Sequence, residues 1–137
     1  MKAYFDSSVI LRWLLKQPRA LNDWSRWQAG VISELLEVEV LRSLDRLRLL
    51  GKLTTADMVE KIGLLRVFVG DCDVFPIQHP VLQRASSSFP TVVGTLDAIH
   101  LSTALLWMAD NNEPLVFLTH DRQLALAARA CGMEVKP

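Results

Sequence analysis

The stretch KAYFDSS, Lys2 to Ser8, constrains this chain more than any other. Ala3, Tyr4 and Phe5 are apolar or aromatic, and the amphipathic run VILRWLL follows with only two residues between. A strand that turns so abruptly into a helix belongs to an α/β unit. Asp6 then stands at a strand's carboxyl end, the edge where open α/β sheets bind ligands. It has an equally good structural role, as cap of the helix beginning near Ser8, because its oxygen accepts from free backbone N–H groups.

The same alternation runs along the chain. The first helix is predicted from Ser8 to about Lys16, ahead of Pro18. A second, short helix over Leu21 to Gln28 would set Trp24 and Trp27 on one face, where burial in a core or subunit contact is favoured over stacking on bases. Gly30 to Ile32 is β-prone, and Ser33 offers a cap to a long helix over Glu34 to Leu50, closed by Gly51. Its apolar residues fall on two faces: Leu36, Val40, Leu44 and Leu47 on one, Leu35, Val38 and Leu49 on the other. Two apolar faces call for two partners, and the second of them is a helix or another subunit. Thr54 caps a helix running to Val69, with Asp57 in capping-box position. Val74 to Ile77 reads as an edge strand or loop start because of Pro76, and Val81 to about Ser87 as helical. Thr95 opens the helix TLDAIHLSTALLWMAD, apolar around most of its circumference and therefore expected to be buried. Leu115 to Leu118 is a continuous apolar run suited to the middle of a parallel sheet, a helix follows from Asp121 to Gly132, and MEV makes a last strand. The pattern predicts one α/β domain over residues 1–137, with a parallel sheet of about four to five short strands flanked by helices.

Composition narrows the class. A chain of 137 residues, half of them hydrophobic, can bury one good core and not two. No apolar stretch reaches the roughly 18 residues of a membrane span, and the first apolar run is broken by Asp6 and Arg12 before any cleavage site, so a non-exported, cytoplasmic protein with no membrane partner is expected. Cys72 and Cys131 lack CxxC or CxxH company, which favours reduced thiols over a disulfide or a zinc site. Fifteen basic and fifteen acidic residues cancel, so the overall charge implies no attraction to nucleic acid. Setting four acids aside in one site leaves a balance of +4. Arginine outnumbers lysine ten to five, and guanidinium forks suit phosphate or carboxylate.

Asp6 and Asp121 lie just beyond strand ends, and Asp97 lies in the first turn of a buried helix. Singly, each is a good helix-terminal acid. Together they form a candidate cluster, with Glu39 or Glu37 reaching in from the long helix, a choice that periodicity leaves open. Neighbouring carboxylates raise each other's pKa, and a divalent cation relieves the repulsion. An all-oxygen set favours Mg²⁺ or Mn²⁺ over zinc. His100, one turn from Asp97, and His120, beside Asp121, are better placed to hydrogen-bond the acids than to bind such a metal, and His79 has no acidic neighbour. A Ser/His/Asp hydrolase is unsupported, since no GxSxG elbow accompanies the serines.

Four segments, YFDSSVIL, ISELLEVEVLRSL, TLDAIHLSTAL and FLTHDRQLALAARACGMEV, resemble in order and spacing the PIN-domain ribonucleases, and particularly the VapC-type toxins of toxin–antitoxin pairs. The resemblance places the glutamate six residues beyond Ser33, at Glu39. It implies that Asp6, Glu39, Asp97 and Asp121 are catalytic metal ligands for Mg²⁺ or Mn²⁺, that Ser8 and Thr119 support them, and that RNA phosphodiesters are hydrolysed to 5′-phosphate and 3′-hydroxyl ends. Arg12, Arg42 and Arg122 lie nearest these motifs and are the candidates for contact with RNA or with a cognate antitoxin, their bland alternative being salt bridges. The doubly apolar helix and the tryptophans fit a toxin homodimer and a groove for an antitoxin helix. Residues 51–90 match in helical character alone. A non-catalytic PIN-like scaffold that binds a partner is the alternative of another class. An aspartyl-phosphate phosphohydrolase is weaker, because Ser8 stands where its DxD pattern needs a second Asp, and a receiver-like phosphoacceptor lacks its late lysine.

Overall fold

Side chains alternate across a strand, and in β1, Lys2–Phe5, both sides are apolar. Ala3 and Phe5 enter one core cluster with Val9, Ile10, Ile32 and Leu118, while Tyr4 enters the other with Val31, Leu101, Phe117 and Leu124. A strand buried on both faces belongs in the middle of a covered sheet. The computed structural model, which describes all 137 residues, places it there. The sheet has five strands: β1, β2 (Ala29–Ser33), β3 (Cys72–Phe75), β4 (Val116–Leu118) and β5 (Glu134–Lys136), in the order β3-β2-β1-β4-β5. All pairs are parallel, with Tyr4 beside Val31 on one side and Phe117 on the other.

Parallel neighbours need crossovers, and helices supply them. α1 (Ser7–Leu14), α2 (Leu35–Leu49) and α3 (Thr55–Gly70) pack over the Ala3 and Phe5 face, and α5 (Thr95–Asn111) and α6 (Arg122–Ala130) over the Tyr4 face. α4 (His79–Ala85) packs against α5. This is the α/β, PIN-like architecture the sequence implied. The chain builds outward from β1 to β3, then returns to lay β4 and β5 on the other side, so the strand order reverses between β1 and β4. The carboxyl ends of those two strands flank the crevice that such a reversal opens.

Local signals set most boundaries. Thr54 and Asp57 form the reciprocal capping box at the start of α3. Gly51 and Gly132 follow α2 and α6 with φ of +73° and +86°, the left-handed conformation that closes a helix and suits a residue without Cβ. Ser33 Oγ accepts from Leu35 N–H at 3.1 Å, as a capping serine would.

Four expectations shift. The predicted Leu21–Gln28 helix is a single 3₁₀ turn, Trp24–Arg26, with no side-chain cap. Aromatic packing fixes it instead: Trp24 stacks on Phe5 at 5.7 Å and meets Trp13 and Phe68 edge-on, so the buried reading of the tryptophans holds without the helix. α1 stops at Leu14 because Lys16 turns left-handed at φ +52°. β3 lies two residues earlier than Val74–Ile77, ending before Pro76, which has no N–H to donate; it is an edge strand, as that proline required. β5 begins after Met133, whose side chain is buried in the core. The apolar face of α2 carrying Val38 and Leu49 is exposed, and Cys72 and Cys131 are free thiols associated with opposite halves of the sheet. No helix is long and apolar enough to cross a membrane.

Candidate active site

Asp6 follows β1 directly and caps α1, so both roles weighed from the sequence belong to one side chain. Its Oδ2 accepts from Ser8 Oγ at 2.6 Å, from Thr119 Oγ1 at 2.9 Å and, at 3.4 Å, from Ser8 N–H. Its Oδ1 takes no hydrogen bond and lies 3.8 Å from His100 Nε2. Thr119, one residue beyond β4, also accepts from Asp121 N–H at 3.0 Å, and Ser8 Oγ accepts from His120 N–H at 3.0 Å. These four bonds lace the end of β1 to the end of β4 across the crevice. Ser8 and Thr119 thereby hold Asp6 by one oxygen and leave the other facing its neighbours.

Asp121 caps α6, its Oδ1 accepting from Leu124 N–H at 2.8 Å, and its side chain is exposed. Asp97, in the first turn of α5, is half-buried and is pushed from 3.8 to about 6 by burial, then by the charges of Asp6 and Asp121, with a smaller push from Glu39. Four carboxylates from four separate elements thus act on one another at the sheet's carboxyl edge. Glu39, on α2, reaches the same place through His100, whose Nε2 donates to Glu39 Oε1. Glu37 makes no such bond. No three His, Cys, Asp or Glu side chains draw together closely enough to enclose one metal ion. The donors nevertheless fit a hard cation: they are carboxylate oxygens, one of them unbonded on Asp6, and crowded enough to resist full ionisation.

His100 is fully buried at the centre of this arrangement. Its Nδ1 shares a 2.6 Å hydrogen bond with the Tyr4 hydroxyl. Burial alone would lower its pKa, but the Glu39 hydrogen bond and the charges of Asp6, Glu39 and Asp97 outweigh burial and raise it. Tyr4, held well above its usual pKa by burial and by Asp6, stays a neutral hydroxyl. Sequence reading placed His100 beside the acids and missed Tyr4, whose signal was a lone hydroxyl in an otherwise apolar central strand. His120 is pushed down by burial and by Arg12 and Arg19, and its buried Nε2 has no partner. Of the three arginines named from the sequence, Arg12 and Arg122 carry no ion pair, whereas Arg42 bonds Asp45 one turn along α2 at 3.3 Å, the salt-bridge alternative. The two largest apolar grooves lie elsewhere, beside α4 and α5.

The geometry has counterparts among known proteins. The family model described as "PIN domain" matches residues 3–130. Ribonuclease VapC46 of Mycobacterium tuberculosis strain ATCC 25618 / H37Rv is 31% identical over 135 residues, covering 96% of this chain and 94% of its own. Ribonuclease VapC47 of Mycobacterium tuberculosis strain CDC 1551 / Oshkosh is 28% identical over 136 residues, covering 94% and 91%. A solved structure titled a toxin-antitoxin complex from Klebsiella pneumoniae superimposes with a TM-score of 0.68 at 17% identity, over 99% of this chain and 97% of that one, and shares the fold. With a family match over nearly its whole length and a five-stranded parallel sheet of the matching kind, this chain belongs to the PIN-domain family, among the VapC-type ribonucleases.

Proposed function

We propose that this chain is a metal-dependent endoribonuclease, the toxin of a toxin–antitoxin pair, working in the cytoplasm. The observation that carries the reading is the mutual repulsion at the sheet edge: Asp97 is held near neutrality by burial together with Asp6, Asp121 and Glu39, carboxylates drawn from four elements. Asp6, Glu39, Asp97 and Asp121 would hold Mg²⁺ or Mn²⁺. The chemistry such an ion supplies is activation of water for in-line attack and neutralisation of charge on the phosphate and the departing 3′ oxygen. Ser8 and Thr119 orient Asp6 through Oδ2. Tyr4 and His100 hold Glu39 in place from behind, in the manner of partners that orient a ligand without touching the ion. Arg12 and Arg122 stand free to meet phosphates. The names of the relatives support both the reaction and the antitoxin partner. The exposed apolar face of α2, with Val38 and Leu49, supplies a surface for a second copy or an antitoxin helix.

Antitoxin-free protein is expected to cut RNA with Mn²⁺ or Mg²⁺, to stop in EDTA, and to lose activity with Asp6→Asn or Asp97→Asn. Cleavage surviving both substitutions overturns the metal-site assignment. Stable binding of a partner protein with no cleavage under any metal would favour the scaffold reading.

A further inference from the structure

Beside Asp121, on the side of the crevice away from Glu39, a groove of about 710 Å³ opens between the loop carrying Arg19 and the outer face of α6. Arg19, Arg122 and Arg129 line it, and none of them has a carboxylate within ion-pairing distance. Arg122 and Arg129 are seven residues apart on α6, two turns of one face, so their guanidinia are spaced along roughly 10 Å of helix. Between them lie Ala125 and Leu126, the latter 57% exposed, an apolar strip between cations. His120 lines the groove too, and its buried Nε2 is without a partner.

Unpaired arginines around an apolar strip are an arrangement for a ligand with both anionic and flat apolar parts. The opposite flank differs. The groove between α4 and α5 beside Asp97 is lined by Leu82, Phe89, Val93 and Ile99 with hydroxyl residues, and contains no cation. A polyanion crossing the acidic crevice therefore finds charge compensation on the α6 side alone of these two flanks. We propose that the groove formed by Arg19, Arg122, Arg129 and His120 is a binding site for single-stranded RNA flanking the cleaved bond, the guanidinia taking backbone phosphates and Leu126 taking a ribose or base. This rests on RNA being the substrate, and it adds two residues, Arg19 and Arg129, that no motif singled out.

The test uses Asp6→Asn protein, which holds RNA without cutting it, and fluorescence anisotropy with a labelled single-stranded oligonucleotide over a series of salt concentrations. Adding Arg19→Gln and Arg129→Gln together is expected to weaken binding roughly tenfold at moderate salt and to flatten the slope of log affinity against log salt by about 1.4, two single-strand phosphate contacts. Arg66→Gln, an exposed and unpaired arginine on α3, serves as the comparison and is expected to move neither quantity. Unchanged affinity and slope in the double variant overturn the site. So does a double variant that loses affinity for a polyglutamate peptide while RNA binding is unmoved, which assigns the groove to an acidic protein segment. Absence of RNA binding by the Asp6→Asn parent itself is a different failure, that of the ribonuclease reading. Both arginines are on the surface, and an unchanged melting temperature separates lost binding from lost folding.

Discussion

Replacing Asp97 by Asn should make the metal-free protein more stable while it abolishes cleavage. Its carboxyl rises from 3.8 to about 6, through burial first and then through Asp6 and Asp121. Between those two values the folded protein keeps a proton that the unfolded chain has released. More protons are bound in the folded state, so stability falls as pH rises through that window and stays lower above it. At about 1.4 kcal/mol per pH unit the full effect is about 3 kcal/mol, and discounting for the half-exposed position leaves about 1 kcal/mol at neutral pH. Asn has no charge to lose, and Asp97 accepts no hydrogen bond that the amide would break. Calorimetry in EDTA is therefore expected to show Asp97→Asn melting about 3 °C above the parent near pH 7 and alongside it near pH 4. Millimolar Mn²⁺ should raise the parent's melting temperature and move the variant less. A variant that melts below the parent at neutral pH, or a gap that does not close on acidification, refutes the account of Asp97.

The hydroxyl network gives further outcomes. Tyr4→Phe leaves a fully buried His100 nitrogen without its partner, and urea denaturation should record a loss of about 1–3 kcal/mol. Thr119→Val removes a donor to Asp6 and an acceptor for Asp121 N–H, so RNA cleavage should drop steeply, at least tenfold, with a stability loss of about 1–3 kcal/mol. Trp24→Ala empties the aromatic cluster against Phe5, Trp13 and Phe68 and should cost about 3 kcal/mol in the same assay, with RNA affinity per folded molecule unchanged. Loss of RNA affinity without loss of stability would return Trp24 to a base-stacking role.

What was legible from the chain was whatever local chemistry determines. The strands at Lys2–Phe5 and Val116–Leu118 are apolar runs, the helix ends at Thr54, Gly51 and Gly132 carry their own signals, and Asp6, Asp97 and Asp121 could be placed at one sheet edge because strand ends and helix starts share it. Glu39 was not separable from Glu37 by periodicity, because the fact that distinguishes them is a bond from α2 to His100 on α5, 61 residues away in sequence. The resemblance chose Glu39, and that contact agrees. The Trp24 segment was misread as a helix because its conformation depends on Phe5 and Phe68, which the local pattern does not contain. Arg19 and Arg129 escaped notice for the same reason: one lies in an irregular loop, the other two turns from the nearest acid, and only folding lines them on one groove.

The acids also differ in how the fold compensates them. Asp6 and Asp121 stand at helix N-caps, each accepting backbone N–H at the positive end of a helix dipole. Asp6 adds two hydroxyl donors, from Ser8 and Thr119. Glu39, past the first turn of α2, lacks a helix terminus and is given His100 instead, whose raised pKa supplies positive charge where no dipole reaches. Asp97 lies in the first turn of α5, where the cap is Gly94, a residue with no side chain to share the exposed amides, yet no amide or hydroxyl bonds its carboxylate. It is the least compensated of the four, and its carboxyl is the one driven up to about 6. A site built only for stability would have bonded this carboxylate as it bonded the others. Leaving it unbonded at the point where three other acids converge is a cost to the fold that a cation would remove, which makes Asp97 the residue where stability and function are most directly opposed.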